Sequence, residues 1–453
     1  MKIRVDRDVL AEALAWVARA LPTRPVVPVL SGLRLEAGTG LTLSCFDYEV
    51  SATAQIEAEV GEPGTVIVPG RLLAEITRSL PALAVEVATD ADTVNLTCGS
   101  AEFTLFALPA EEYPELPAPP PLAGTVDGGV LGAAISQVAA AASRDDTLPM
   151  LTGVCLDIDG AALTLAATDR YRLAVREMRW EPVRPGLRAA ALVPARTLAD
   201  AARAMTPGVP VTVAFEPGAN RPDSRPPDEP RPAEGMISFG IGGRQLTTRL
   251  IGGEFIRYRS RFPTEFGCRA SVPAGPFTEA VRRVSLVADR ASPVRLTFGP
   301  GRVLIEAQTE GRARAVETVP ADFSGTEPVI AFNPHYLLDG LVAAAVPGPS
   351  RSQAGGPDQA GHDDASHTDA SHEDAGHRDS GPHEGTGEGN PGPDDPGLLR
   401  IEFTSPAKPA LITRVTAEPG PEDARISSET PPEESSGAEF RYLVVPLRAP
   451  VRS

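Results

Sequence analysis

The stretch Val66–Leu73, with the sequence Val-Ile-Val-Pro-Gly-Arg-Leu-Leu, recurs twice in variant form further along the chain. Ala191–Leu198 and Ile330–Leu337 show the same order: an apolar run, then proline, then a segment that contains leucine. A short apolar run is typical of a buried strand. Proline predicts a helix start, because its fixed φ suits the first helical turn and its missing N–H has no partner there. Each copy is therefore predicted to pass from a strand into a helix.

A longer repeat surrounds each copy. Upstream of the first copy, Asp8–Leu21 has the apolar periodicity of an amphipathic helix, and similar helices are predicted around residues 131–139 and 277–284. Between the two helices of each unit, a segment alternates apolar and polar residues, which predicts a strand. Each of these segments carries an acidic residue at what we expect to be the same slot: Asp47, Asp169 and Glu310.

The repeated unit contains two helices and several strands, which is typical of an α+β fold. We expect three tandem domains of the same topology, each with two helices on antiparallel sheets, over residues 1–122, 123–265 and 266–453. Three segments interrupt the repeat, at about 216–234, 348–397 and 417–437. Each is rich in Pro, Gly, Ser or charged residues, and we expect all three to be disordered because they lack apolar residues to bury.

Composition restricts the class of protein. The net charge is −18, but the acidic residues concentrate in the later insertions, so bulk charge does not exclude a nucleic-acid partner. No segment has the apolar length of a membrane span or the pattern of a signal peptide. The four cysteines are isolated in sequence, which favours buried thiols in a reducing compartment. We expect a cytoplasmic protein with no membrane partner and no cofactor.

A catalytic constellation is not recognisable. His335 alone lies outside the His/Asp-rich tract, and its place after Asn333-Pro334 favours a structural role at a helix start. No phosphate-binding loop is present. Within the tract, His362, His367, His372 and His377 recur every five residues, a spacing that places them on one face of neither a helix nor a strand. A solvated tether is therefore favoured over a metal site, and we expect no enzymatic activity and no metal.

Four motifs resemble one family. They are Thr23–Leu30, Met150–Gly153, Ala167–Ala174 and the near-terminal Tyr442–Arg448, and together with the threefold repeat they are similar to the beta subunit of bacterial DNA polymerase III. The resemblance implies a non-catalytic sliding clamp, a head-to-tail homodimer that forms a ring with helices lining the hole. It also implies sequence-independent binding of duplex DNA, loading by a clamp loader, and partners such as DNA polymerase subunits that dock short peptides.

The resemblance also implies three sets of site residues. Contacts to DNA phosphates, which carry no sequence information, are expected from Arg24, Arg71, Arg78, Arg144, Arg196, Arg203, Arg282 and Arg283. The partner-peptide pocket is expected to comprise Leu151, Thr168, Arg170, Tyr171, Arg172, Leu173, Ile256, Ser260, Arg261, Leu443, Val445, Pro446, Leu447 and Arg448. The dimer interface is expected to involve Phe103, Leu105 and Leu286, with Leu105 of one copy near Leu286 of the other.

Two alternatives to a replicative clamp remain open on the sequence alone. One is a specialised clamp paralogue that serves repair, stress or inhibitor resistance. The other, of a different class, is a metal-handling protein organised around the His/Asp-rich tract.

Overall fold

The computed structural model describes residues 1–217, 235–289, 292–326, 329–347, 397–415 and 440–447. Within these residues the chain repeats one unit three times, and each unit has two helices. The helices are α1 (Arg7–Val17), α2 (Gly70–Ser79), α3 (Gly128–Ala139), α4 (Ala195–Ala202), α5 (Ala274–Ser285) and α6 (Pro334–Ala345). The three interruptions of the repeat lie almost wholly outside the described residues.

The helices begin where capping chemistry predicts. The Asp6 carboxylate accepts hydrogen bonds from two backbone N–H groups of the first turn of α1, and Asp127 caps α3 in the same way with one bond. Asn333 caps α6, and Pro334 is the first helical residue there. In α2 and α4 the proline of the repeated stretch lies one residue earlier, at the cap position itself. The first helix is shorter than expected, because residues 18–20 tighten into a 3-10 turn.

The strands of the described residues form four antiparallel sheets. The first, in spatial order, is β5 (Glu59–Glu62), β1 (Lys2–Val5), β7 (Val85–Asp90), β8 (Thr93–Cys98) and β9 (Ala101–Phe106). The second is β14 (Glu181–Pro182), β10 (Leu122–Asp127), β16 (Pro210–Glu216), β17 (Met236–Ile241), β18 (Arg244–Arg249), β4 (Val50–Ile56), β3 (Leu41–Phe46), β2 (Gly32–Ala37) and β6 (Gly64–Pro69).

The third and fourth sheets contain the remaining strands. The third is β15 (Arg188–Pro194), β11 (Gly153–Asp159), β12 (Ala162–Thr168), β13 (Arg172–Arg179), β27 (Phe440–Val444), β26 (Ala410–Arg414), β25 (Leu398–Phe403), β19 (Cys268–Pro273) and β23 (Asp322–Ser324). The fourth is β22 (Ala313–Pro320), β21 (Arg302–Thr309), β20 (Val294–Gly299) and β24 (Val329–Phe332).

Two of the sheets cross from one repeat to the next. At the first junction, the last strand of the second repeat, β18, pairs with β4 of the first repeat. At the second junction, the last strand of the third repeat, β27, pairs with β13 of the second repeat. The two nine-stranded sheets are therefore continuous across the repeats, whereas the first and fourth sheets contain five and four strands.

The core lies between the helices and the inner face of the sheets. Alternate residues of β3, β12 and β21 point into it, and the third inward residue of each strand is Cys45, Ala167 and Ala307. A second, smaller apolar cluster lies on the opposite face of the third sheet, away from the helices. This two-sided burial explains why β13 is apolar at successive positions, since a strand covered on both faces loses its alternation.

One expected equivalence is wrong. Asp47 and Asp169 occupy the same slot after β3 and β12, but in the third repeat that slot is held by Thr309 rather than Glu310, as counting from Ala307 shows. The hairpin after β21 is also one residue longer, since Ala307 lies opposite Ala315, whereas Cys45 lies opposite Ala52 and Ala167 lies opposite Ala174. The left-handed residue there is Gly311, with φ 68°.

Candidate partner groove and ring surfaces

The turn between β12 and β13 is fixed by side chains. The Asp169 carboxylate accepts hydrogen bonds from the backbone N–H groups of Tyr171 and Arg172, at 3.0 and 3.1 Å. The Thr168 hydroxyl donates to the Arg172 carbonyl at 2.6 Å. Arg170 between them has φ 82°, in the left-handed region that favours glycine. The turn therefore holds Arg170 and Tyr171 exposed at the second junction in a defined orientation.

Arg172 connects this turn to the third repeat. Its Nε donates to Asp169 at 3.0 Å, and its Nη1 contacts the Asp339 carboxylate on α6. The guanidinium also lies 4.7 Å from the centre of the Tyr336 ring, a cation–π geometry. Burial opposes the charge on Arg172, but the Tyr442 hydroxyl and the two carboxylates outweigh it and raise the Arg172 pKa. The cation is thus held between two domains.

The strand pair beside this turn has an apolar outer face. Leu173 on β13 lies directly opposite Leu443 on β27, and the two side chains are only 4% and 6% exposed. Two residues after Leu443, the Val445 N–H donates to the Tyr171 carbonyl at 2.8 Å. The Leu447 N–H donates to the Ala331 carbonyl at 2.7 Å, which anchors the end of the described chain.

The linker between the second and third repeats covers much of this floor. Phe255, Tyr258 and Phe262 pack into the cluster that contains Leu173 and Leu443. The Tyr258 hydroxyl donates to Asp157 on β11 at 2.8 Å, and burial is the main cause of its raised pKa. The linker is therefore a wall of the site, fixed to the sheet by aromatic packing.

The expected pocket residues separate into three groups. Leu173 and Leu443 form the floor with Thr168, while Pro446 is buried and Leu151 and Val445 are half-buried. The exposed apolar members are Tyr171, Leu447 and Ile256. Ser260 and Arg261 are exposed on the linker, where the Ser260 hydroxyl donates only to its own segment at the Arg257 carbonyl. Arg448 lies outside the described residues.

Two residues of α6 and one of β27 were missed by sequence reasoning. The Tyr336 ring stacks on Tyr171 with centroids 5.9 Å apart, Asp339 binds Arg172, and the buried Tyr442 hydroxyl donates to the Tyr336 carbonyl at 2.8 Å. On an amphipathic helix, a tyrosine and an aspartate do not stand out in the sequence as functional residues. The repeat places α6 near the second junction, but only the packed structure brings these side chains to the turn.

The first junction has the same backbone and a different floor. The Asp47 carboxylate accepts from the N–H groups of Glu49 and Val50, and Tyr48 has φ 74°, so the turn matches that of Asp169 and Arg170. The outward pair equivalent to Leu173 and Leu443 is Ser51 opposite Thr247. A small surface pocket lined by Phe46, Met236 and these hydroxyls lies here. The strand pair of the first junction therefore presents hydroxyls where the second presents two leucines.

Comparison with known proteins identifies the repeat. Models of the N-terminal, central and C-terminal domains of the DNA polymerase III beta subunit match residues 1–117, 125–256 and 259–347. The chain belongs to the DNA polymerase III beta subunit family.

Individual relatives agree with this assignment. The chain is 53% identical to the beta sliding clamp of Streptomyces coelicolor over 348 residues, which is 77% of this chain and 89% of that protein. It is 43% identical to the beta sliding clamp of Micrococcus luteus over 321 residues, or 71% and 99% of the two chains. The solved sliding clamp of Bacillus subtilis superposes with a TM-score of 0.73 at 22% identity and covers 99% of each chain, which shows the same fold.

The protein is a DNA sliding clamp, a non-catalytic processivity factor. Ring formation as a dimer is typical of the family, as are binding of duplex DNA and of polymerase and other clamp-binding proteins. The chain resembles the S. coelicolor clamp more than the beta sliding clamp homolog GriR of Streptomyces muensis, to which it is 43% identical. Neither the specialised paralogue nor the metal-handling alternative is favoured, although the His/Asp-rich tract itself lies outside the described residues.

The arginines expected at DNA are all exposed, on the helices or the loops beside them. Several are already engaged within the chain: Arg71 donates to the Leu21 carbonyl, Arg203 lies 3.7 Å from Asp200, and Arg282 and Arg283 contact Glu279 and Glu317. Arg24, Arg78, Arg144 and Arg196 have no carboxylate within 4 Å in the described part of the chain. No helix among the described residues has the length and apolar character of a membrane span.

The clamp surfaces expected at the dimer interface lie in the first and third repeats. Strand β9 is the edge of the first sheet, and β22 is the edge of the fourth. Leu286 at the end of α5 is 82% exposed, whereas Leu105 is buried in its own domain and Phe103 is half-buried. A charge at Leu105 would therefore disturb the first domain as well as any interface.

Proposed function

We propose that partner peptides bind this clamp at the second junction, between the Asp169–Leu173 turn, the 255–262 linker and the last strand. The opposed pair Leu173 and Leu443 carries this proposal. Ligand grooves need apolar walls with a few well-placed polar groups. The second junction combines an apolar floor with exposed Tyr171 and Leu447, whereas the first junction offers hydroxyls. One partner groove per protomer follows from that difference.

The ring would close by joining the five-stranded first sheet of one copy to the four-stranded fourth sheet of another. The sum is nine strands, as in the two sheets that already cross repeats. Unpaired strand edges are templates for such pairing. In this arrangement β9 of one copy pairs with β22 of the next, just as β18 pairs with β4 and β27 pairs with β13 within the chain. The domains would then span about 1–122, 123–265 and 266–453, as the repeat suggests.

The two internal junctions suggest a register for this contact. The N–H groups of Leu108, Ile251 and Leu447 donate to equivalent carbonyls in the three repeats. Five residues before Ile251 and Leu447, Leu246 and Tyr442 lie opposite Ala52 and Ala174. The residue five before Leu108 is Phe103, and the residue equivalent to Ala174 is Ala315. Phe103 of one copy is thus proposed to pair with Ala315 of the next, with Leu105 opposite Ala313 near Leu286.

Duplex DNA would pass through the ring on the helix side of the sheets. Among the proposed phosphate contacts, those without a carboxylate partner in the described residues are Arg24, Arg78, Arg144 and Arg196. The others would first have to leave their present partners; they are Arg71, Arg203, Arg282 and Arg283. Helix α3 carries no basic residue, so the lining would be uneven. A clamp loader would open and close the ring on DNA, and we place the protein in the cytoplasm with the replication machinery.

The groove is tested by titrating the full chain with a fluorescent peptide from a DNA polymerase subunit. Leu447→Ala should weaken binding by about 1–3 kcal/mol, because buried anchors dominate peptide affinity. Thr247→Ala at the first junction is the matched control and should leave affinity unchanged. Full binding after removal of residues 446–453 would place the groove elsewhere.

A further inference from the structure

We infer that the partner groove of this clamp selects peptides that carry acidic residues beside their apolar anchors. The inference rests on the proposed groove and concerns the linker wall, which has two faces. Phe255, Tyr258 and Phe262 point into the apolar cluster, whereas Arg257, Arg259 and Arg261 between them are exposed. The wall therefore presents a row of guanidinium groups to solvent.

This row is a positively charged patch on a protein whose net charge is negative. The whole chain has 60 acidic and 42 basic residues, yet residues 255–262 contain three arginines and no carboxylate. Arg259 is partly neutralised by Asp157, at 3.1 Å. Arg257 and Arg261 have no carboxylate within 4 Å among the described residues. An acidic protein that concentrates positive charge at one wall attracts anions to that wall in particular.

Two further arginines extend the patch around the groove. Arg441 on β27 lies 4.6 Å from the Phe262 ring and so adjoins the linker from the sheet side. Arg170 is exposed in the turn on the other wall. Its φ of 82° disfavours any residue with a side chain, so glycine would be the less strained choice there. The groove is thus flanked by guanidinium groups on both sides.

Duplex DNA in the ring is not the anion that this patch fits. The helices pack on one face of the third sheet, and the linker lies on the other face, over the separate cluster of Leu173 and Leu443. A duplex on the helix side cannot reach the linker through the sheet. The ligand of the patch must therefore approach the outer face of the ring.

A peptide satisfies both the charged and the apolar parts of this surface. Ile256 next to Arg257 on the linker, and Tyr171 next to Arg170 in the turn, are exposed apolar side chains beside these arginines. An occupant that covers them must alternate apolar groups with anions over a few residues. A segment in which Leu or Phe is flanked by Asp or Glu has this chemistry, and guanidinium–carboxylate pairs add specificity because they can be bidentate.

The test compares two peptides with one apolar core, one flanked by Asp and Glu and the other by Asn and Gln. Both are titrated against the full-length clamp by fluorescence anisotropy. Exposed ion pairs are individually weak and are screened by salt. We therefore expect the acidic peptide to bind only about tenfold more tightly than the neutral peptide in low salt, and we expect this difference to shrink in 0.5 M salt. In the Arg257→Gln/Arg261→Gln variant the difference should largely disappear, while the affinity of the neutral peptide is kept.

The matched control is Arg179→Gln/Arg184→Gln, which removes two exposed arginines from the far end of the same domain and should preserve the acidic preference. Equal affinity for the two peptides would overturn this inference and leave the proposed groove intact. Failure of both peptides to bind would overturn the groove and the inference together. Single-stranded DNA that competes with the acidic peptide and depends on Arg257 and Arg261 would assign the patch to nucleic acid instead.

Discussion

Leu173 lies directly opposite Leu443 across the strand pair that joins the second and third domains. At the equivalent place between the first and second domains, Ser51 lies opposite Thr247. The backbones of the two junctions correspond hydrogen bond by hydrogen bond. The proposed difference between the two junctions in peptide binding therefore rests on side chains and not on the strand pairing.

Exchange of the floor residues tests this dependence. Leu443→Thr gives the second junction a hydroxyl of the kind present at the first, and we expect peptide binding to weaken by about 1–3 kcal/mol because the hydroxyl lies beneath the apolar linker that forms a wall of the groove. Calorimetric titration measures the loss, and thermal unfolding measures the accompanying change in stability. Thr247→Leu is the control and should not affect the peptide. Unchanged affinity in Leu443→Thr would separate the floor from binding.

The contact between Arg172 and Asp339 should hold the groove in shape. Asp339→Asn removes one partner of a pair whose arginine is buried, a change that costs about 3–5 kcal/mol when both groups are inaccessible. Because the Asp339 side chain is 45% exposed and Asp169 still binds Arg172, we expect roughly 1 kcal/mol in unfolding free energy.

Peptide affinity should fall in the same Asp339→Asn variant, because Tyr171 and Tyr336 would lose their fixed separation. Asp200→Asn, at the equivalent position of α4, is the matched control and should leave the groove unaffected. A peptide affinity that is equal in the two variants would mean that the ion pair contributes stability alone.

Ring closure in the proposed register can be tested by disulfide trapping. Phe103 and Ala315 would form a non-hydrogen-bonded pair, in which side chains approach closely enough for a disulfide. Phe103→Cys/Ala315→Cys should therefore oxidise to a covalent dimer seen by denaturing electrophoresis. Phe103→Cys/Glu317→Cys, displaced by two residues, is the control and should remain monomeric under denaturing conditions. Equal trapping by both pairs would contradict the register.

Contact with DNA phosphates should appear in the salt dependence of retention. Arg24→Ala/Arg196→Ala removes two exposed cations that have no internal carboxylate partner among the described residues, so the slope of log affinity against log salt should fall by about two. Retention on nicked circular DNA at several salt concentrations gives this slope. Arg179→Ala/Arg184→Ala, which removes two exposed arginines outside the proposed lining, is the control and should leave the slope unchanged. A dependence on DNA sequence would argue against phosphate contact.

The repeat was sufficient to predict the architecture. The strand–proline–helix stretches at Val66, Ala191 and Ile330 have the expected structure, because local capping and alternation agree with the fold at each copy. The equivalence of Glu310 failed because the slot lies two residues after the third inward strand residue, which puts it at Thr309; Glu310 lies one residue further, in a hairpin that is one residue longer in the third repeat.

The candidate site was only partly accessible to sequence reasoning. The Asp169–Leu173 turn and the last strand are neighbours in the structure, but Tyr336 and Asp339 reach them through tertiary packing of α6. The burial of Leu173 and Leu443 beneath the linker was also unexpected, since alternation alone places them on an outer face without revealing what covers that face.

As a sliding clamp, the protein is expected to act by encircling DNA. The most direct measurement loads the clamp with its clamp loader onto a nicked circular plasmid, isolates the complex by gel filtration, and cuts the plasmid once. A ring held by topology remains with the circle and is lost after linearisation, as the clamp slides off the free ends. Equal retention on circular and linear DNA would contradict encirclement.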